Sequence, residues 1–233
     1  MKFGEKVIKF NKSLEFKGIL PENIRIMNPF VENPSAMEVS SKFYHKFYND
    51  NYPRNIILGI NPGRFGAGVT GIPFTDTKRL KEICKLDMLD FSTYEPSSVF
   101  VYEVIEAYGG VDSFYNDFYI NSVCPLGFVI KNDKGNEKNY NYYDSKELQK
   151  IVKPFIIKTI KKQINLGINT EVCFCLGSNK NYKFLNALNK EMKFFKKIIS
   201  LEHPRYIMQY KSGKKTEYIE KFIKSLKSSQ SCK

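Results

Sequence analysis

The chain has 233 residues, a formal net charge of +13, and 42% hydrophobic and 15% aromatic residues, enough apolar material for one substantial core. No apolar run approaches the roughly 20 residues of a membrane span and the N-terminus lacks the apolar stretch of a secretory signal, so a soluble, cytoplasmic protein is expected. Five scattered cysteines and two histidines argue against a disulfide framework, a structural zinc site or a cysteine-ligated iron–sulfur cluster, and no metal or cofactor is expected.

Phe3, Val7, Phe10 and Leu14 recur at helical spacing and predict a first amphipathic helix. Asn33-Pro34 supplies a cap and first-turn pair for a second, with Ala36, Val39 or Ser40, Phe43 and Phe47 inward and His45 on the surface. Ile56, Ile57, Leu58 and Ile60 form a continuous apolar run, read as a strand over residues 55–60 buried on both faces. Asn61-Pro62-Gly63 must stop it, because proline cannot donate to a ladder. Gly66, Gly68 and Gly71 then let backbone pass close to a ligand, and Pro73-Phe74 closes the loop. The run from Gly66 to Gly71 matches the dinucleotide fingerprint, but Pro73 follows almost at once where that motif needs its glycines to open a helix. A dinucleotide site is therefore not expected. Thr75 or Asp76 should cap a helix reaching about residue 86, with Leu80 and Ile83 facing the core; Asp76 reads as a cap rather than a catalytic acid. Ser97 or Ser98 is expected to cap the next helix, which Gly109-Gly110 ends.

Phe118 to Pro125 reads as the second strand, interrupted by Asn121, whose amide needs partners at both ends if buried. Residues 131–143 form a polar, tyrosine-ended excursion, expected to be a mobile surface loop. Asp144 and Glu147 resemble a capping pair for a long helix with Leu148, Ile151, Val152, Phe155, Ile156, Ile160 and Ile164 as its stripe, and Pro154 is a site for a kink. Val172–Leu176 is the third strand, its Cys173 and Cys175 read as core; Gly177-Ser178 should start the next helix. Ile198–Leu201 is the fourth strand, followed at once by Glu202-His203-Pro204-Arg205. A last helix carries Ile219, Phe222, Ile223 and Leu226, and the tail from Lys227 should fray. From Asn179 onward fourteen Lys/Arg face four Asp/Glu, a balance of +10, against twenty-three and twenty, or +3, in the first 178 residues. That asymmetry suits a polyanionic partner at the C-terminal third, and equally the solvated outer faces of lysine-rich helices.

Alternating strands and helices without a linker predict one domain over residues 1–233: a three-layer α/β/α sandwich around a central four-stranded, mostly parallel sheet. Asn61, Asn121 and His203 then fall at or near the carboxyl ends of three strands, where α/β folds bind ligands. Two amides, a histidine, the Phe74 ring and a basic flank suit recognition of a flipped-out nucleobase. An enzyme acting on a free nucleotide or nucleoside, or a nucleic-acid-binding protein without chemistry, would use the same features.

Gly59-Ile-Asn61-Pro-Gly63-Arg-Phe-Gly66 with Thr70-Gly-Ile-Pro-Phe74 resembles the first motif of the SMUG-type uracil-DNA glycosylases, the single-strand-selective monofunctional enzymes. Phe118-Tyr-Ile-Asn121-Ser-Val-Cys-Pro-Leu126 is similar to their central Asn-containing strand, and His203-Pro204-Arg205 to the start of their second motif. The match runs in order over roughly residues 55–211 and fits the bacterial branch better than the vertebrate one; Arg205 to Lys211 is where it departs. The resemblance implies hydrolysis of the N-glycosidic bond of uracil in DNA, and admission of 5-substituted uracils through the space beside Gly63. Asn61 would position the attacking water in a dissociative mechanism, and neutral His203 would donate to uracil O2 and stabilise the departing anion. Ile60, Gly63, Phe74 and Asn121 would receive the base, Asn121 pairing with its N3–H and O4 edge and Phe74 stacking on it. Arg205, Tyr206, Ile207 and Met208 would be the wedge candidates, and Lys211, Lys214 and Lys215 the phosphate contacts. A monomer that cleaves without a Schiff base is expected, acting on single or double strands.

Overall fold

The computed structural model describes residues 1–87, 91–132 and 134–228. In chain order the helices are α1 (Phe3–Lys12), α2 (Pro29–Glu32), α3 (Pro34–Phe47), α4 (Ala67–Thr70), α5 (Thr77–Glu82), α6 (Pro96–Tyr108), α7 (Gly110–Asp117), α8 (Lys146–Ile164), α9 (Lys180–Met192), α10 (Pro204–Tyr210) and α11 (Lys215–Ser228). The strands are β1 (Ile24–Met27), β2 (Arg54–Gly59), β3 (Phe118–Ser122), β4 (Gly127–Lys131), β5 (Glu137–Tyr140), β6 (Ile168–Leu176) and β7 (Lys197–Leu201).

Four of these strands form a parallel sheet in the order β3-β2-β6-β7, with Ile57 beside Ile120, Leu58 beside Cys175, and Cys175 beside Ser200. β2 and β3 are buried at every position, as parallel strands covered by helices on both faces must be. Since β2 lies inside the sheet with β3 on one side and β6 on the other, chain direction across the sheet reverses next to β2. The carboxyl end of such a strand is where an α/β sheet opens a crevice. Arg54 starts β2 with its guanidinium fully buried, held by two 2.7 Å bonds to Asp50, one to the Tyr115 carbonyl, and the rings of Phe3 and Tyr48.

The sheet and its four strands lie where the apolar runs put them, to within a few residues. A second sheet was not foreseen. It is antiparallel, in the order β1-β4-β5, pairing Ile26 with Phe128 and Val129 with Asn139. Residues 131–143 are thus not a free loop: they return as β5 because β4 offers its edge to them, and Arg25 clasps Glu137 with two 3.0 Å bonds. Other boundaries shift for local reasons. Pro96 takes the first turn of α6, so Glu95 rather than Ser97 or Ser98 occupies the cap position. Ser145, not Asp144, caps α8 through the Leu148 amide, and α8 runs on through Pro154. Asn179 precedes α9 rather than Gly177-Ser178. α5 ends at Glu82, leaving Ile83 38% exposed instead of facing the core. Asp76 caps α5 as expected, and Cys173 and Cys175 are in the core. Of the tail from Lys227, residues 229–233 lie outside the described residues. Among the described residues no helix is long and apolar enough to cross a membrane.

Candidate active site

A cavity of about 240 Å3 opens at the carboxyl ends of β2, β3 and β7. Ile60, Asn61, Gly63 and Phe74 of the glycine loop, Ser122 at the end of β3, Asn141 and Tyr143 after β5, and His203, Arg205 and Tyr206 after β7 all line it. The loop is braced from within: the buried Thr70 hydroxyl donates to the Thr75 carbonyl at 2.6 Å and accepts the Ile72 amide at 3.2 Å.

Asn61 directly follows the last residues of β2, and its amide is locked by the segment around β5. Its Nδ2 donates to the carbonyl of Tyr140 at 3.2 Å, and its Oδ1 accepts the amide of Tyr142 at 3.2 Å. An amide oxygen has two lone pairs, so one remains to take a hydrogen from a water molecule. A water held that way keeps its own lone pair available to attack. Tyr142 is itself fixed: its buried hydroxyl donates 2.7 Å to Oδ1 of Asn181, whose Nδ2 donates to the Leu176 and Gly59 carbonyls at the ends of β6 and β2.

His203 caps α10, its Nδ1 accepting the backbone N–H of Arg205 at 3.1 Å. Burial, reinforced by the neighbouring Arg205 guanidinium, pushes its pKa down to about 3. The imidazole is therefore neutral near pH 7, and because Nδ1 accepts, its proton resides on Nε2. Phe74 has a left-handed backbone (φ 53°), and its ring packs over Gly59, where a Cβ would sit 3.0 Å from the ring edge. The Phe74 and His203 rings lie 5.7 Å apart at 51°. A bulky residue held in that conformation stores about 1–3 kcal/mol of strain, which the braced loop maintains.

Asn121 is 6% exposed and lines a smaller cavity beyond Pro62, Ala67 and Pro73, residues that also wall the main one. Its Nδ2 donates to the Tyr119 hydroxyl at 2.6 Å and its Oδ1 accepts the Ser122 amide at 2.8 Å. The structure therefore brings Asn61, Phe74 and His203 together in one space and sets Asn121 behind it. Each end of the Asn121 amide keeps one hydrogen-bonding position free.

The wall after β7 departs in part from expectation. Arg205 and Tyr206 are exposed and line the cavity, but Ile207 is fully buried and cannot be a wedge, because α10 turns that position into the core. Met208 is partly buried against the core. Lys211 and Lys214 are exposed, whereas Lys215 donates 2.6 Å to Glu103 and is engaged within the chain. The lining residues to which the sequence reading gave no role include Glu95, Asn141, Tyr143, Gln209 and Tyr210. Glu95 bears on the chemistry most. Asp76 accepts its backbone amide at 2.8 Å, and its carboxyl lies so close to Gly66 that a Cβ there would collide with Oε2. Burial, opposed by Arg205 and aided by Asp76, raises its pKa to about 7.

A parallel α/β sheet with a cavity at the carboxyl ends of its strands, lined by an amide, a neutral histidine and an aromatic ring, is the arrangement of an α/β enzyme site. The chain belongs to the uracil-DNA glycosylase superfamily, whose family model matches residues 45–227. It is similar to the structure described as wild-type SMUG2 of Pedobacter heparinus, with 56% identity, a TM-score of 0.97, and 99% of each chain covered. No curated protein sequence matches it. The activity that follows is hydrolysis of the glycosidic bond of uracil in DNA, and DNA is its substrate.

Proposed function

We propose that Asn61 and His203 are the catalytic pair of this glycosylase. Asn61 Oδ1 holds the attacking water but, as an amide, takes no proton early, so the glycosidic bond is largely broken before water adds. The Nε2–H of His203 donates to uracil O2 as negative charge develops there, in a site where the donor is already oriented. The observation that carries this reading is the pairing of His203 Nδ1 with the Arg205 amide, which commits the remaining proton to the cavity. Phe74 stacks on the base, Ile60 and Gly63 line its berth, and Asn121 reads the N3–H and O4 edge from the smaller cavity once the base extends past Pro73. The space at Gly63 admits 5-substituted uracils such as hydroxymethyluracil. Arg205 and Tyr206 fill the gap left by the base; Lys211 and Lys214 meet phosphates. No lysine lines the cavity among the described residues, which supports a monofunctional enzyme that forms no Schiff base, and the chain acts as a monomer.

The test is base release from a single-stranded oligonucleotide holding one uracil, followed by alkali. Asn61→Ala and His203→Ala should each slow the chemical step by about 100- to 1000-fold, the scale on which one oriented hydrogen-bonding group counts in comparable sites. A His203→Ala enzyme that excises at the wild-type rate would end the assignment. Borohydride trapping should give no covalent adduct.

A further inference from the structure

The main cavity does not end at Arg205. A second one, of about 230 Å3, shares Gly63, Glu95, Arg205 and Gln209 with it and continues outward between Phe65 and Tyr94. Those two rings are 57% and 60% exposed, an unusual arrangement for large apolar side chains converging on one polar cleft. Each also carries a guanidinium: Arg64 lies 5.1 Å from the Phe65 ring centre and Arg79 lies 5.2 Å from that of Tyr94. Arg79 is engaged by Asp76, whereas the Arg64 guanidinium donates to the backbone carbonyl of Glu137 and feels that residue's carboxylate at longer range, with no salt bridge among the described residues. Asn139 adds an amide to the cleft, its Oδ1 accepting the Arg64 amide at 3.1 Å and its Nδ2 standing near Gly63.

Aromatic faces, a guanidinium without a salt bridge and side-chain amides in a groove form the chemistry that holds a single nucleic-acid strand: bases stack on the rings and phosphates meet the charge. On the basis of the glycosylase reading above, we propose that this cleft is a subsite for the nucleotide next to the target in the same strand. Its base lies on Phe65 and Tyr94, and Arg64 meets its phosphate. The continuity of the two cavities carries the inference. A strand whose target base enters the first must lead a neighbouring nucleotide across Gly63, and the rings stand on that path. The main cavity is lined by a further aromatic pair, Tyr206 and Tyr210 of α10, 5.7 Å apart.

The experiment measures binding by fluorescence anisotropy, so it does not depend on turnover. The probe is a labelled single-stranded 11-mer with a tetrahydrofuran abasic analogue at the target position. Two further probes carry a second tetrahydrofuran at the 5′ or the 3′ neighbour. Wild-type affinity should fall roughly tenfold when one of the two neighbours, and not the other, loses its base, the usual consequence of losing one stacked base. Phe65→Ala/Tyr94→Ala should bind the first probe roughly tenfold more weakly and be indifferent to the neighbour's base. Both side chains are exposed, and a matching thermal midpoint shows that the variant is folded. A variant that keeps wild-type affinity, or loses affinity but remains as sensitive to the missing base as wild type, overturns the subsite. Uracil release by the wild-type enzyme is scored separately. Its absence would sink the glycosylase reading while leaving the binding result to judge the cleft.

Discussion

Replacing Glu95 by glutamine exchanges a carboxyl that resists ionisation for a neutral group of the same shape. Its pKa stands at about 7 rather than 4.5, mainly through burial, with Asp76 adding to the rise and Arg205 opposing it. A folded-state pKa above the unfolded one means that the native state holds the proton longer. This stabilising contribution is complete below pH 4.5 and is lost as pH rises through 7. At 1.36 kcal/mol per pH unit the ceiling is about 3 kcal/mol, and solvent entering the open cavity reduces it to about 1–2 kcal/mol. Glu95→Gln should therefore melt about 2–8 °C above wild type at pH 8.5, given about 2–4 °C per kcal/mol for a chain of this size. At pH 4.5 the two proteins should melt together. Calorimetry or circular dichroism at the two pH values decides it. Equal melting at both, or a less stable variant at pH 8.5, would refute the argument by showing that the carboxylate is stabilised when ionised.

Three further outcomes follow from the same structure. The His203 ring nitrogens should show no titration by NMR between pH 5 and 8, since its pKa lies near 3; an inflection near 6.5 would remove the neutral donor. Asp50→Ala leaves the fully buried Arg54 guanidinium without its counter-ion, and should cost about 3 kcal/mol in urea unfolding. Lys211→Ala should lower the slope of log affinity against log salt for single-stranded DNA by about 0.7. Lys215→Ala, with its ammonium already on Glu103, should leave that slope unchanged.

The parallel sheet was legible because each of its strands is a mostly apolar run, broken in the second only by Asn121 and Ser122, and ended by Asn-Pro, a cysteine before proline, a glycine or a histidine before proline. The placement of Asn61 and His203, the pair proposed as catalytic, was legible from the same pattern: a polar residue placed right after a buried strand has few places to point. The second sheet was not. β5 reads Glu-Lys-Asn-Tyr, a sequence with no strand signature, and it pairs because the chain doubles back onto the free edge of β4, whose other edge is taken by β1, remote in sequence. Glu95 was hidden because it enters the site from a cap position whose backbone is aimed by Asp76 from another helix, a tertiary relation that no local pattern encodes. Ile207 went wrong in an instructive way. α10 spans seven residues, too few for an apolar period to reveal which face turns inward, so neighbours with opposite exposure looked alike.

Asn61 is held by a carbonyl and an amide of the main chain, those of Tyr140 and Tyr142. Every amino acid supplies that carbonyl, and every one except proline supplies that amide. The grip on the Asn61 amide is thus made by main-chain groups, at Tyr140 without any demand on the side chain and at Tyr142 with the buried ring as its anchor. The surface of β5 is free to drift across lineages, or to acquire new contacts with DNA, without disturbing the chemistry it supports. Tyr140→Ala would leave the contact in place, whereas Tyr142→Ala would loosen it by losing the Asn181 bond and Tyr142→Pro would remove the amide itself.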